Sequence, residues 1–226
     1  MSNNMSSNRN RAIQSTSDYV YNTIRQAILT KQLPAGTRLV ESKTSKELNV
    51  SITPVREAFT RLSSQGLLTV FPYKGTYVTI MSKKTVSDIF YIRKHLEAMA
   101  VEQGFSKLTE KDVSFYEELC VQADQAYDHD DLYESIHCDI LFHEHMFTVS
   151  GNILLLEIWN ILKYRIESIQ SYTKPAMNAR MLARHQEMIE AARRRDQEGF
   201  VIALMKHLSS SQDAMVFPDE DEIQYI

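Results

Sequence analysis

The sequence predicts a mainly α-helical protein with an N-terminal winged helix-turn-helix and a C-terminal all-α bundle of six helices. Three observations predict this class. Residues 18–80 read as helix, helix, turn, helix and two β-prone runs, whereas residues 82–212 repeat helical patterns without a strand signal. Charge divides at the same point: residues 1–80 hold 10 Lys and Arg against 4 Asp and Glu, and residues 81–226 hold 15 against 25. A basic part joined to an acidic part indicates that the first part meets a polyanion.

Composition limits the class of protein. The 226 residues suffice for two small cores, and 43% hydrophobic with 24% charged residues is typical of globular proteins. No apolar run approaches the roughly 18 residues of a transmembrane helix. The two cysteines, Cys120 and Cys138, form no CxxC pattern, which favours a reducing cytoplasm. Polar residues 1–17 are expected to be a disordered lead-in, and residues 213–226 an acidic, loosely ordered tail.

The first domain is predicted over residues 18–81. Apolar spacing predicts a first helix over 18–31 with Ser17 as its cap, and Pro34 and Gly36 then break the chain. A second, short helix fits 43–48.

The third helix follows a turn and opens on the segment SITPVREAF, residues 51–59. Thr53 is predicted as its N-cap with Pro54 in the first helical position, and Gly66 ends it. One apolar stripe follows helical spacing: Val55, Ala58, Phe59 and Leu62. The β-prone runs 67–71 and 76–80 then form a hairpin.

In a helix-turn-helix, the N-terminal residues of the third helix enter the major groove. Ser51 and Thr53 offer hydroxyls to phosphate, and Arg56, opposite the apolar stripe, can bind a guanine edge. Arg61 lies farther along and fits a phosphate contact. The alternative is that Arg56 and Arg61 are solvated charges paired with Glu57.

The hairpin tip is the second candidate contact with nucleic acid. Lys74 and Gly75 lie at this tip. Glycine permits the tight turn, and a lysine beside it can enter the minor groove or touch the phosphate backbone.

The sequence of this domain strongly resembles that of the DNA-binding domain of the GntR family of bacterial transcription regulators. The resemblance lies in LPAGTRLVE (33–41), VSITPVREAFTRLSSQGLL (50–68) and YKGTYV (73–78). It implies that Ser51, Thr53, Arg56, Lys74 and Gly75 occupy operator-contacting positions. One residue departs from the family pattern.

Ile52 stands where the family usually has an arginine that reads a guanine. An isoleucine cannot donate a hydrogen bond to a base and at best packs on a thymine methyl. The predicted class of protein is unaffected by this change, but the operator sequence that the family usually recognises cannot be assumed for this chain.

The segment HCDILFHEHMF, residues 137–147, carries the second group of chemical interest. Asp139 and His143 are spaced i, i+4 and share one helix face. His185 and His207 lie on two further predicted helices, so the four side chains could surround one metal ion. A lone helical histidine is more often structural than a metal ligand, and the other four histidines are interpreted in that way: His95, His129, His137 and His145.

The helical domain, predicted over 82–212, resembles the FCD domain, the ligand-binding module of the FadR-like branch of GntR regulators. The resemblance lies in RKHLEAMA (93–100), DILFHEHMFTVSGN (139–152), RHQEMIEAARRRD (184–196) and ALMKH (203–207). It implies a divalent ion held by these four residues: Asp139, His143, His185 and His207. Imidazole and carboxylate ligands suit zinc, nickel or manganese, and zinc is favoured.

Together the two domains predict a DNA-binding transcription regulator, a repressor and not an enzyme. It would bind a near-palindromic operator as a homodimer, the helical domain serving effector binding and dimerisation. A small carboxylic acid at the metal is the predicted effector, with Arg93 and Arg165 as candidate ligands for its far end. Two alternatives stay open: a metal-dependent hydrolase with an accessory winged helix, and a regulator whose metal is purely structural.

Overall fold

A computed structural model describes residues 15–170, 180–219 and 223–224. The described helices are α1 (Thr16–Leu29), α2 (Glu41–Glu47), α3 (Ile52–Ser64), α4 (Lys83–Gly104), α5 (Glu110–Asp128), α6 (Leu132–Ser150), α7 (Ile153–Gln170), α8 (Met181–Arg193) and α9 (Gln197–Asp213). The strands are β1 (Arg38–Leu39), β2 (Leu68–Phe71) and β3 (Gly75–Val78), in one antiparallel sheet of order β1-β3-β2. The predicted fold class is confirmed.

The N-terminal unit has its own apolar core between α1, α3 and the sheet. The buried residues of α3 are the four that the spacing predicts: Val55, Ala58, Phe59 and Leu62. They pack with Val20, Ile24 and Ile28 of α1. The two-residue strand β1 escapes prediction because it is too short to show a period of two.

The N-termini of α1 and α3 differ from their predicted positions. Helix α1 begins at Thr16, and the cap is Ser15, whose Oγ accepts a hydrogen bond from the backbone N–H of Asp18 at 3.0 Å. The predicted lead-in over 1–17 therefore extends too far, and residues 1–14 lie outside the described part. Helix α3 begins at Ile52 after Ser51, so the predicted Thr53 cap is wrong. Pro54 still fits, because the first N–H groups of a helix have no intrahelical partner.

Helices α4 to α9 form the C-terminal bundle around a second apolar core. Trp159 of α7 is fully buried and stacks on Phe147 of α6 with 4.8 Å between ring centroids. Helix α8 is predicted from residue 177 but is described from Met181; residues 171–179 lie outside the described part. Within the described residues, no helix combines the length and apolar character needed to cross a membrane.

The segment after α9 differs from the loosely ordered tail that its acidic composition predicts. Met215 and Phe217 are half-buried and pack against the bundle core, while Val216 between them faces outward. The N–H of Lys83 donates to the carbonyl of Pro218 at 2.9 Å. This alternation of apolar contacts fixes the chain at the start of α4, so the prediction is wrong for residues 214–219.

A buried ion pair joins the two units. The Arg25 guanidinium of α1 contacts both carboxylate oxygens of Glu167 on α7, with N–O distances of 2.5 and 3.2 Å. Its remaining terminal nitrogen donates to the Tyr133 hydroxyl of α6 at 2.6 Å. Nearby, a Cβ on Gly66 would lie 2.5 Å from Cζ of Arg165, so the bare glycine makes room for that side chain.

A second ion pair lies inside the bundle on α4. Arg93 Nε donates to Glu97 Oε1 at 2.5 Å, and both side chains are almost inaccessible to solvent. The other oxygen of Glu97 bonds His143 Nδ1 at 2.6 Å. Burial would raise the pKa of Glu97, but the Arg93 charge and the hydrogen bonds from Arg93 and His143 hold it below its usual value. Such a pair is costly to break, because removal of either side chain leaves the charge of the other unpaired in an apolar interior.

We therefore predict that Arg93→Met lowers the free energy of unfolding by about 3–5 kcal/mol, the usual cost of leaving one buried partner unpaired. The Arg93→Met/Glu97→Gln double variant carries no buried charge on α4, and the amide oxygen of the introduced glutamine can still accept from His143. It is expected to be more stable than the single variant in urea denaturation. A double variant as unstable as the single, or more so, would contradict the pairing.

Candidate metal centre and nucleic-acid interface

The bundle brings the four predicted metal ligands together. Asp139 and His143 come from α6, His185 from α8 and His207 from α9, and all four are buried. Their candidate ligand atoms all lie within 4.8 Å of one another. His185 Nε2 is 3.4 Å and His143 Nε2 is 3.9 Å from the Asp139 carboxylate. We call this group the four-donor cluster.

The rings of His143 and His185 are oriented as metal ligands require. His143 Nδ1 is bonded to Glu97, and His185 Nδ1 lies 2.9 Å from the Met181 carbonyl. These acceptors place the ring proton on Nδ1 and leave a lone pair on Nε2. Among the described residues, neither Nε2 atom has a hydrogen-bond partner, although both are buried. Buried polar atoms are rarely left unpaired, and two lone pairs beside a carboxylate fit a divalent cation.

The protonation states of the cluster also suit a metal. Burial alone would raise the pKa of Asp139, but Arg184 and the three histidines hold it far below its usual value. Burial lowers the pKa of His185 to about 3, opposed by Asp139. Burial and the neighbouring His185 likewise lower the pKa of His207. The aspartate is thus ionised and these two imidazoles are neutral near pH 7, the forms that bind metal.

Two further side chains contact the Asp139 carboxylate. Gln170, the last residue of α7, donates to Oδ2, and the Arg184 guanidinium of α8 lies 3.3 Å from Oδ1. Sequence reasoning did not single out either residue. Arg184 directly precedes a predicted ligand in the RHQEM segment, and that position was the available signal.

A groove of about 280 Å³ between α8 and α9 leads to the cluster. Its lining residues are Ala183, Arg184, Glu187, Ala203, Lys206, His207, Ser210 and Ser211. His207 belongs to both the groove and the cluster, so a small molecule in the groove would reach a metal ligand.

The two arginines predicted to bind an effector lie elsewhere. Arg93 is enclosed beside Glu97, and Arg165 lies against Gly66 at the junction of the two units. Neither lines the α8–α9 groove. Their assignment as effector ligands stays a prediction.

The start of α3 presents the predicted recognition residues on the surface. Ser51, Ile52, Thr53 and Arg56 are all exposed. The Arg56 guanidinium contacts Glu41 at the start of α2, at 3.0 Å, and not Glu57 as the alternative interpretation had it. This pair is largely exposed, so it is weak and can exchange for a contact with nucleic acid.

Arg61 and the wing complete the predicted interface. Arg61 faces α1: it bonds Asp18 at 2.9 Å, and its Cζ lies 3.7 Å from the centroid of the Tyr21 ring. Lys74 is exposed at the hairpin tip, and Gly75 has a φ of 118°. The Arg38 side chain of β1 lies beside this glycine, where a Cβ would be 3.1 Å from its Nε. Arg38 adds an exposed cation to the wing that sequence reasoning missed, although it stands in the LPAGTRLVE segment.

Comparison with known proteins agrees with both halves of this description. Residues 16–78 match the model of the bacterial regulatory proteins of the gntR family, and residues 88–210 match the FCD domain. The chain is similar to the HTH-type transcriptional regulator McbR of Escherichia coli K12, at 31% identity over 80% of this chain and 83% of the relative. It is 26% identical to the HTH-type transcriptional repressor RspR of the same organism, over 89% of this chain and 90% of the relative.

Solved structures give the same fold. The structure of E. coli McbR/YncC superposes with a TM-score of 0.71 at 28% identity, covering 87% of this chain and 94% of that one. A GntR transcriptional regulator from Rhodococcus sp. RHA1 has a TM-score of 0.75 at 21% identity, covering 87% and 95%. The relatives are transcription regulators and not enzymes, which removes the hydrolase alternative. The chain is therefore a DNA-binding transcription regulator that belongs to the gntR family and carries an FCD domain.

Proposed function

We propose that the affinity of this regulator for its operator is controlled by a small organic acid bound at a divalent metal in the FCD domain. One observation carries the proposal: two buried Nε2 atoms, of His143 and His185, stand without hydrogen-bond partners among the described residues beside an ionised Asp139. A cation satisfies all three groups, whereas a water molecule would have to donate to each of them.

The four-donor cluster would hold the ion through one carboxylate and three imidazoles. An ion with six coordination positions would have two left after binding these four side chains. A carboxylate of the organic acid could bind there, and the ion would act on it as a Lewis acid. This ligand set suits zinc, nickel or manganese, and we propose zinc. The residues of the chain fix the rings: Glu97 and the Met181 carbonyl hold the Nδ1 protons of His143 and His185.

We propose that α3 reads the operator and that the wing tracks the backbone. Arg56 would release Glu41 and bind a guanine edge, while Ser51 and Thr53 contact phosphate. Lys74 and Gly75 at the hairpin tip would lie in or beside the minor groove. Ile52 offers only an apolar contact, so the operator would differ from the one that an arginine there reads.

Helix α7 offers a route from the cluster to the DNA-binding unit. Gln170 contacts Asp139 in the cluster, and Glu167, three residues earlier on the same helix face, holds Arg25 of α1. Helix α1 in turn packs on α3. We propose that occupation of the cluster shifts the last turn of α7 and thereby repositions α3. Control of operator affinity requires that the ligand bind the two positions with different affinity.

We also propose that the active form is a homodimer. Helices α4 and α7 each expose large apolar side chains: Tyr91, Ile92 and Met99 on α4, and Ile153, Leu154, Ile158 and Ile161 on α7. Exposed apolar groups in this number are typical of a protein–protein contact. A two-fold dimer would present two recognition helices to a near-palindromic operator. With RspR named a repressor, we propose repression as the direction of control.

Substitution of Arg56 tests the recognition helix. Arg56→Ala is expected to weaken binding to the DNA upstream of the chain's own gene by about 10- to 100-fold at physiological salt, through loss of a base contact. Arg193→Ala is the matched control, because this exposed arginine lies on α8 of the bundle, where it is paired with Glu117, and is not among the predicted DNA contacts. Fluorescence anisotropy measures both. Equal losses for the two variants would remove Arg56 from the specific contacts.

Removal of two histidine ligands tests the metal site. Purified wild-type chain is expected to hold one divalent ion per chain by elemental analysis, and His185→Ala/His207→Ala to hold none. His95→Ala/His129→Ala should match the wild type, because these exposed histidines bond only the backbone carbonyl one turn earlier among the described residues. Restoring metal to 100 times its dissociation constant should stabilise the wild type by about 2.7 kcal/mol. Equal metal content in all three proteins would refute the cluster as the site.

Substitution of an exposed apolar residue on α7 tests the proposed dimer. Ile161→Glu should convert a dimer to a monomer in light scattering and weaken operator binding. Ile202→Glu on α9 is the control, since Ile202 is 61% exposed against 67% for Ile161 but lies outside the α4–α7 face. Dimers of both variants would place the interface elsewhere.

A further inference from the structure

We infer that the acid bound at the metal centre carries two carboxylates, and that Arg184 binds the second one in the groove between α8 and α9. This inference rests on the proposed function, because the first carboxylate is taken by the ion. It names a ligand class and a specificity-determining residue that neither the sequence motifs nor the relatives assign.

Arg184 extends from the cluster into the groove. Its NH2 atom lies 3.3 Å from Asp139 Oδ1, so the guanidinium touches a cluster ligand. The side chain is 27% exposed and lines the groove together with His207. Its Nε is buried and has no hydrogen-bond partner among the described residues. The guanidinium therefore keeps donor capacity for a further acceptor.

An ion on Asp139 would compete with Arg184 for the same carboxylate. Asp139 Oδ1 accepts from Arg184 and lies 3.4 Å from His185 Nε2. A divalent ion at that oxygen would stand within a few ångströms of the guanidinium in a poorly solvated site, where like charges repel strongly. An anion between ion and guanidinium removes this repulsion. Arg184 is thus well placed to turn from Asp139 to a ligand.

The net charge of the site with its metal ion bound indicates how many carboxylates the organic acid carries. A divalent ion, one aspartate, one arginine and three neutral imidazoles leave an excess of two positive charges. The neighbouring charged groups do not change this count. Arg93 is paired with Glu97 at 2.5 Å, and Lys206 in the groove is paired with Glu187 at 2.5 Å. Two carboxylates balance the excess, whereas a monocarboxylate leaves one charge uncompensated in a buried site.

The groove fits a short dicarboxylate. Its volume of about 280 Å³ lies just below the roughly 300–1,000 Å³ of most small-molecule sites, as expected for a ligand of few atoms. Ser210 and Ser211 add hydroxyls to the lining. A guanidinium binds a carboxylate through two parallel hydrogen bonds, so the length of the carbon chain between the two acid groups would set specificity.

The test compares two acids that differ in one carboxylate. Full-length chain is loaded with zinc, its metal content is measured, and it is titrated calorimetrically with succinate and with butyrate, which share a four-carbon chain. The wild type should bind succinate about 10- to 100-fold more tightly than butyrate, the effect expected of one charge-assisted contact. Arg184→Gln should lose this preference while keeping its ion and its affinity for butyrate. Arg193→Gln is the control: Arg193 is also on α8 but is paired with Glu117 and does not line the groove, so this variant should retain the preference.

Other results would overturn either the proposed function or the role of Arg184. A wild type that holds no zinc defeats the proposed function, and this inference with it. A zinc-loaded Arg184→Gln protein that still prefers succinate overturns only the role of Arg184. Loss of zinc in Arg184→Gln would also overturn it, because the arginine would then serve to hold Asp139 in place. Arg184→Lys, which keeps the charge but loses the two-pronged geometry, should retain part of the preference.

Discussion

Asp139 carries a negative charge inside an apolar helical bundle, and the surrounding polar groups compensate for its burial. An isolated ionised carboxylate in such an interior costs several kcal/mol, so it must be paired and hydrogen-bonded. Gln170 and Arg184 contact its two oxygens, and the histidines of the cluster face it. These contacts come from α6, α7, α8 and α9. One buried charge thus links four of the six helices of the bundle, and an ion bound to it would act on all of them.

The junction of the two units also contains a buried charge that must be paired. Arg25 is the cation of a buried pair whose anion, Glu167, belongs to α7, and the Tyr133 hydroxyl of α6 completes it. The exposed ion pairs of the surface contribute little by comparison. Because Glu167 and Gln170 lie on one helix, α7 connects the junction to the cluster. This arrangement gives the proposed acid a physical path to the recognition helix.

Much of this architecture could be predicted from the sequence, and the exceptions have physical causes. Helical spacing located the apolar stripe of α3 and six helices of the bundle, because burial imposes a period of 3.6 residues. The i, i+4 pair Asp139 and His143 was visible for the same reason. Sequence reasoning missed the Ser15 cap and the strand at Arg38, since short local features compete with equally good neighbours.

The long-range partners of charged residues could not be predicted. Arg56 pairs with Glu41 and not with Glu57, and Arg25 pairs with Glu167 at a separation of 142 residues. Arg93 and Arg165 were predicted as effector ligands from the sequence around them, whereas Arg184 is the arginine that lines the groove. Only the packing of the helices in three dimensions decides which arginine meets which carboxylate.

The most direct test of this account measures operator affinity of the zinc-loaded protein with and without succinate, in the wild type and in Glu167→Gln. Succinate is expected to weaken DNA binding by the wild type. Glu167→Gln, which disrupts the contact between α7 and Arg25, is expected to reduce this response while succinate still binds. An equal response in both proteins would contradict transmission through α7. No response in the wild type, with the acid bound, would contradict control of DNA binding by the metal centre.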